Sequence, residues 1–255
     1  VYPSPDETEL LLKSVASGEL SVESAASQLN AWLGRSPDTW IDHYRPERTG
    51  EPEVVFGQSK TPAQCAAAVV ALLRGAGPVL VTHASQEHAQ AVLAVAPQAS
   101  YDAKARLIVA RPIETMSTPT GLVAIATAGT SDLPVARECA GVLTAFGIET
   151  QLITDIGVTG IHRTLSAVEI LTDAHVVVAV AGMEGALPTV LAGLLPQPVV
   201  AVPTSVGYGA SFDGMAALLS MLSSCAPGVS VVNIDNGFGA AMVARRILRA
   251  TKVPS

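Results

Sequence analysis

Residues 121–138 read GLVAIATAGTSDLPVARE. The run at 122–127 is short, apolar and rich in β-formers, as a strand covered on both faces must be. Gly129 then frees the backbone, and Thr130, Ser131 and Asp132 stand where a helix begins. The same sentence repeats down the chain. Strands are expected at 122–127, 149–153, 176–181, 198–202 and 230–234, with helices at about 133–146, 160–171, 185–194, 214–224 and 238–250. A β-α-β-α series with buried strands implies a doubly wound parallel sheet. In such sheets ligands bind at the carboxyl ends of the strands, so the residues just after each strand carry the functional information.

Upstream the pattern changes. Helical periodicity at about 5–16, with Asp6, Glu7 and Glu9 at its positive end, and at about 22–33 precedes two expected strands. These strands, at 40–45 and 53–57, are joined by the turn-rich PERTGEP. Thr61, Pro62 and Gln64 compose a helix start, as N-cap, first helical residue and partner in a capping box. That helix runs through CAAAVVALL to Gly75 and Gly77, and a strand (78–82), a helix (86–95) and a strand (105–110) follow. RPIETMSTPT, residues 111–120, has two prolines and no periodicity. A boundary is expected there, between a smaller α+β domain (1–115) and the α/β domain (116–255).

Composition fits this division. The chain has 255 residues, 49% hydrophobic but only 4% aromatic, so Ala, Val, Leu and Ile build the core. Residues 1–120 hold 22 charged side chains and the longer remainder only 15, as suits a sheet covered on both sides. Net charge is −7, and the 15 basic residues form no run longer than Arg245–Arg246, which argues against a nucleic-acid partner. The apolar stretch from Leu187 to Val202 is cut by Pro188, Pro196 and Pro198 and is too short to span a bilayer. No charged n-region followed by an apolar h-region is visible, so no signal peptide is expected. Cys65, Cys139 and Cys225 are an odd count without CxxC spacing, which suits a reducing cytoplasm.

The post-strand loops carry the chemistry. AGTSDLP (128–134) is either an anion or sugar cradle or an ordinary N-cap. TDIGVTGIHRT (154–164) offers Asp155 and Arg163, as a phosphate clamp or a surface ion pair, beside His162. AGMEGALP (181–188) places Gly182, Met183 and Glu184 beside a very apolar segment. A carboxylate there is expected to be desolvated and fit for acid–base work, or else to serve a helix start. PTSVGYGASFDG (203–214) supplies Ser205, Tyr208 and Ser211 on a glycine-rich loop that lets a ligand approach the backbone. IDNGFGAAM (234–242) contains Asn236 and mimics a dinucleotide fingerprint, but Met242 stands where the third glycine belongs. Cys225 precedes Ala226-Pro227-Gly228, and a free cysteine is more often a small core residue than a nucleophile.

Together AGTSDLPVARE, DIGVTGIHR, AGMEGALPTVLAGL, AVPTSVGYGAS and VVNIDNGFGA resemble the LarB family, as does DHYRPERTGEPEVVFGQSKTPAQ at 42–64. LarB is the carboxylase/hydrolase that opens synthesis of the nickel-pincer nucleotide. The C-terminal part is also similar to PurE, the carboxyaminoimidazole ribonucleotide mutase. Thr130-Ser131-Asp132 fits its Ser-x-Ser-Asp loop and His162-Arg163-Thr164 fits its His-Arg-Thr loop. Its His-Leu-Pro-Gly loop is broken, since Ala186-Leu187-Pro188-Thr189 stands there. The resemblance implies that nicotinic acid adenine dinucleotide (NaAD) and CO2 or bicarbonate give pyridinium-3,5-biscarboxylic acid mononucleotide and AMP. It implies Cys225 as covalent nucleophile, Glu184 for proton transfer and Asp132 as the next candidate base. Thr130, Ser131, Asp132 and Arg163 would hold phosphate and ribose. Asp155, Gly182, Met183, Ser205, Tyr208, Ser211 and Asn236 complete the expected substrate-binding set. Asp42, Tyr44, Arg45, Arg48, Lys60 and Thr61 either close over the adenylate end or simply fold the hairpin. The implied anhydride hydrolysis calls for a divalent cation, Mg2+, with no ligand set legible, and for no organic cofactor beyond the substrate. A homo-oligomer is expected by analogy. Two other classes stay open, a PurE-type mutase and a non-catalytic nucleotide-binding module.

Overall fold

The computed structural model describes residues 5–32, 35–36, 39–42, 45–113 and 121–251. Two compact units result: residues up to Tyr101 with Ile108–Pro112, and Asp102–Leu107 with residues from Ile113 onward. The boundary expected within 111–120 falls largely on 114–120, outside the described residues.

The first unit begins with α1 (Pro5–Ala16), α2 (Val22–Trp32) and the antiparallel pair β1 (Arg35–Ser36) and β2 (Thr39–Trp40). Then come α3 (Arg45–Thr49), β3 (Val55–Phe56), α4 (Pro62–Leu73), β4 (Val79–Thr82), α5 (Gln86–Val95), β5 (Ser100–Asp102) and β6 (Leu107–Arg111). The last four strands form a sheet in the order β3-β4-β6-β5, with β3 parallel and β6 antiparallel to β4. The capping box of α4 forms as its sequence requires: Thr61 Oγ1 accepts from Gln64 N–H, and Gln64 Oε1 accepts from Thr61 N–H. Arg111 closes the other end of that helix by donating to the carbonyls of Leu73, Gly75 and Gly77.

Among the described residues of the strand expected at 40–45, only Trp40 is in a strand, and Arg45 already opens a helical turn (Arg45–Thr49) that runs into the stretch expected to be turn-rich. Pro46 presets a helical φ. Thr49 Oγ1 donates to Arg45 O at 2.7 Å, and Gly50, at φ +72°, closes the turn on Pro46 O. Arg48 donates to Asp42 across the same turn at 2.6 Å. Tyr44 lies outside the described residues.

The second unit runs β7 (Leu122–Thr127), α6 (Leu133–Ala145), β8 (Glu149–Ile153), α7 (Ile161–Thr172), β9 (Val176–Ala181), α8 (Leu187–Leu194), β10 (Val199–Pro203), α9 (Met215–Leu222), β11 (Val229–Val231) and α10 (Gly237–Ala250). Its five strands are all parallel, in the order β11-β10-β9-β7-β8. In register, Ile125 faces Val178 and Ala126 faces Ala179, while Ala201 faces Ala179. Every residue of β9 and β10 is buried. One face is covered by Ala167 and Leu171 of α7, Leu187 and Leu191 of α8, and Ala217 and Met221 of α9. On α6 Cys139, Val142 and Leu143 are buried, as are Ala240, Ala241, Ala244 and Leu248 on α10, and those two helices pack together. The molecule is α/β, with a doubly wound parallel sheet in one unit and a smaller mixed sheet in the other. Two helix limits differ from expectation and matter below. α8 starts at Leu187, leaving 182–186 as a turn, and α9 stops at Leu222, leaving Cys225 in the turn beyond it.

Candidate active site

The order of the parallel strands reverses between β7 and β9. The crevice at their carboxyl ends is where this architecture binds ligands. Asp132 stands there, ending a single 3-10 turn (Thr130–Asp132), and is 3% exposed. Its Oδ2 accepts from Gly129 N–H at 2.9 Å and its Oδ1 from Thr204 Oγ1–H at 2.7 Å, with a further bond from Gly182 N–H. Thr204 is fully buried. One carboxylate therefore ties together the loops after β7, β9 and β10. Burial raises its pKa, its three donors pull it back, and Asp235 raises it again. Gly182 is required at this knot, because a Cβ there would stand 2.6 Å from Thr204 Oγ1.

After β8, Asp155 takes a left-handed conformation, φ +59°, and donates its N–H to Thr127 Oγ1. Its carboxylate pairs with Arg163 Nη1. The Arg163 guanidinium lies over Gly160, and Thr164 Oγ1, fully buried, donates to Ile156 O. The ion pair is half-exposed, so a phosphate can reach it. His162 is exposed.

Glu184 departs from expectation. Its carboxylate was to be desolvated, yet residue 184 is exposed, as is Met183. The cause is the late start of α8. Met183 N–H donates to Val206 O, Gly185 N–H donates to Gly182 O, and the two residues between are lifted into solvent.

On the glycine-rich loop, Ser205 is exposed and donates its N–H to Asp235 Oδ1 at 2.9 Å. Ser211 is buried, hard against Gly207, while Tyr208 is 80% exposed. Asn236 caps α10 by accepting from Gly239 N–H at 2.7 Å. Glu138, on α6, is buried and accepts from Phe238 N–H at the same helix start.

The three thiols separate cleanly. Cys65 and Cys139 are buried and burial pushes both thiols up, whereas Cys225 is exposed. Thr189 Oγ1, in the first turn of α8, donates to Ser224 Oγ, one residue before Cys225. The fold thus gathers Asp132, Gly182, Ser205 and the start of α10 into one network. Among the described residues, no hydrogen bond joins Glu184 or Cys225 to it. Thr204 is one of the hydroxyl side chains of the glycine-rich loop, whereas Asp235 and Glu138, in or beside the network, escaped the sequence reading. Asp235 stands next to Asn236 in the loop that opens α10, and Glu138 is a lone acid within an apolar helical stripe. Among the described residues no group of three or more His, Cys, Asp or Glu is arranged to hold a metal ion.

Residues 38–112 match the LarB/PurE-like N-terminal domain, and residues 122–254 match the AIR carboxylase family. The chain belongs to the LarB family. Its LarB-type first domain is joined to a PurE-like second one, and PurE-like carboxylases and mutases are its relatives. An uncharacterized protein of Methanocaldococcus jannaschii is 37% identical over 248 residues, covering 94% of this chain and 96% of that one. The N5-carboxyaminoimidazole ribonucleotide mutase of the same organism is 37% identical over 132 residues, 50% of this chain and 78% of the mutase. The crystal structure of Treponema denticola PurE aligns with 51% of this chain and 80% of its own, at 24% identity and a TM-score of 0.44. No helix among the described residues is long and apolar enough to cross a membrane.

Proposed function

We propose that this LarB-family protein carboxylates NaAD at C5 of its pyridinium ring and hydrolyses the phosphoanhydride. The products are pyridinium-3,5-biscarboxylic acid mononucleotide and AMP. The observation that carries this reading is a single exposed thiol, Cys225, on a PurE-like carboxylase domain that has Ala186 where PurE has its acid histidine.

The chemistry explains why a thiol replaces a histidine. A pyridinium and CO2 are both electrophiles. The Cys225 thiolate adds to the ring carbon beside C5, and the electron pair displaced moves to the ring nitrogen. The ring is now a neutral dihydropyridine whose C5 is enamine-like. C5 attacks CO2, forming the new C–C bond. Glu184 takes the C5 proton, the electrons of that C–H bond rebuild the ring, and thiolate departs. The sequence is redox-neutral and releases one proton. This role for Glu184 rests on the LarB resemblance and on its place in the turn after β9, not on a desolvated carboxylate. Thr130, Ser131, Arg163 and Asp155 surround the place for phosphate and ribose, and Asp132 keeps the loops around them in register. Met183, Ser205, Tyr208, Ser211 and Asn236 line the neighbouring turns.

Incubating the protein with NaAD and bicarbonate and resolving nucleotides by chromatography tests the reading. AMP and a ring-carboxylated mononucleotide are expected, and Cys225→Ser and Glu184→Gln are each expected to lose the carboxylated product. Product formation by Cys225→Ser at the wild-type rate would remove the mechanism. Turnover of a carboxyaminoimidazole ribonucleotide instead would assign a PurE-type mutase, and neither activity a binding module.

A further inference from the structure

An exposed thiol on a turn needs something to hold it in place. α9 ends at Leu222, and Cys225 follows three residues later. Backbone bonds from Ser223 N–H to Leu219 O and from Ser224 N–H to Met221 O close the helix but stop short of the cysteine. The next tether is the Ser224 hydroxyl. Its Oγ accepts from Thr189 Oγ1–H at 2.8 Å and from Ala226 N–H at 3.3 Å. Ser224 and Ala226 flank Cys225, so these bonds bracket the cysteine and pin its turn to α8.

The anchor point is informative. Thr189 stands in the first turn of α8, just after the turn that carries Glu184. A second contact fixes the same two segments: a Cβ on Gly185 would meet Ala217 Cα and O at 3.0 Å and Met221 Cε at 3.1 Å, so that turn lies directly against α9. Segment 185–189 therefore holds α9 at Gly185 and its exit at Thr189. Thr189 and Ser224 are both half-buried, which shields their bond from competing water.

We infer that Thr189 and Ser224 are positioning residues that hold Cys225 in register with the Glu184 turn. The inference rests on the reading of Cys225 as the nucleophile. Covalent catalysis needs the sulfur at attack distance, and misplacement by an ångström costs up to about a hundredfold in rate. The hydroxyl pair is the device that spares this chain that loss.

The test is a double-mutant cycle on the full chain, using Thr189→Val, which keeps shape and removes the hydroxyl, Ser224→Ala, and the pair combined. Thr189→Ser serves as the conservative control. NaAD turnover gives kcat and KM, and alkylation of Cys225 by iodoacetamide, read by peptide mass spectrometry, reports the thiol without substrate. Thr189→Val is expected to cut kcat about tenfold with KM changed less than about twofold. Thr189→Ser should restore kcat, and the double variant should be no slower than the worse single one. Full kcat in Thr189→Val, or losses that multiply in the double variant, would overturn the inference. Should Thr189→Val not fold, Ser224→Ala with the same readouts decides. Failure of the parent reading is distinguishable. If the wild-type protein turns over no NaAD, or Cys225→Ser turns it over at the wild-type rate, the alkylation assay decides alone. A rate of Cys225 labelling altered about threefold by Thr189→Val supports the tether, and an unaltered rate overturns it.

Discussion

Glu138 places a carboxyl between two packed helices, where it accepts N–H bonds from Phe238 and Gly237 at the start of α10. Burial pushes its pKa up to about 7 from the ordinary 4.5, against those two bonds and the charge of Arg106, with Asp235 adding to the rise. Between these values the folded chain holds a proton that the unfolded chain has released. Stability therefore falls as pH rises from about 4.5 to about 7, by about 3 kcal/mol, and levels off above. Burial raises the Asp132 carboxyl in the same direction, so its contribution too is lost as pH rises. Urea midpoints measured from pH 5 to pH 8 should decline in the wild-type protein, and Glu138→Gln should flatten the decline. An equally steep profile in the variant would assign the slope elsewhere. Arg163 makes a different prediction. Its Nη1 already holds Asp155, so a phosphate must share a fork that a lysine cannot reproduce. Arg163→Lys should raise KM for NaAD about tenfold while the melting temperature barely moves. An unchanged KM would leave Arg163 as a surface ion-pair partner.

Elements respond to what holds their ends. α4 owes its start to Thr61, and Thr61→Ala should cost about 1 kcal/mol in a denaturant titration. That cap was legible because its partners lie three residues apart. The turn after β9 is held differently, by the fit of Gly182 beneath Thr204. Gly182→Ala should force apart the Asp132–Thr204 bond, at about 2 kcal/mol of stability. The same variant should also lose NaAD turnover, since the Glu184 turn moves with it. Stability and turnover both at wild-type levels would show that the loops yield without cost. The misread strand at 40–45 belongs at this scale too. WIDHYR has strand composition, but among its described residues the strand stops at Trp40 and Arg45 opens a helical turn that Pro46, Thr49 and Gly50 close locally, while β3 pairs with β4.

Across the second unit, α9 presents Met215, Leu219 and Leu222 to solvent at 44%, 55% and 62% exposure, with Tyr208 and Phe212 on the loop before it. An exposed apolar group of this size favours association. The homo-oligomer expected by analogy is proposed to close over this helix. Light scattering should give a mass that is a multiple of 26.1 kDa, and Leu219→Asp with Leu222→Asp should lower it. A monomeric wild-type protein, or a double variant with unchanged mass, would move the interface elsewhere.

The alternation of short apolar runs with helical stretches determined the parallel sheet, because burial on both faces leaves a local and periodic mark. It also located the loops at the carboxyl ends, where Asp132, Asp155, Gly182 and Ser205 were found. Which of these meet was decided only by the fold. Thr204 reaches Asp132 from 72 residues away, Thr189 reaches Ser224 from 35, and Glu138 reaches Phe238 from 100. Such pairs form because strand order sets β7 beside β9 and β9 beside β10, an arrangement that no local periodicity encodes. The exposure of Glu184 has the same origin: whether a carboxylate near apolar sequence is buried depends on where α8 begins and what the turn before it rests on.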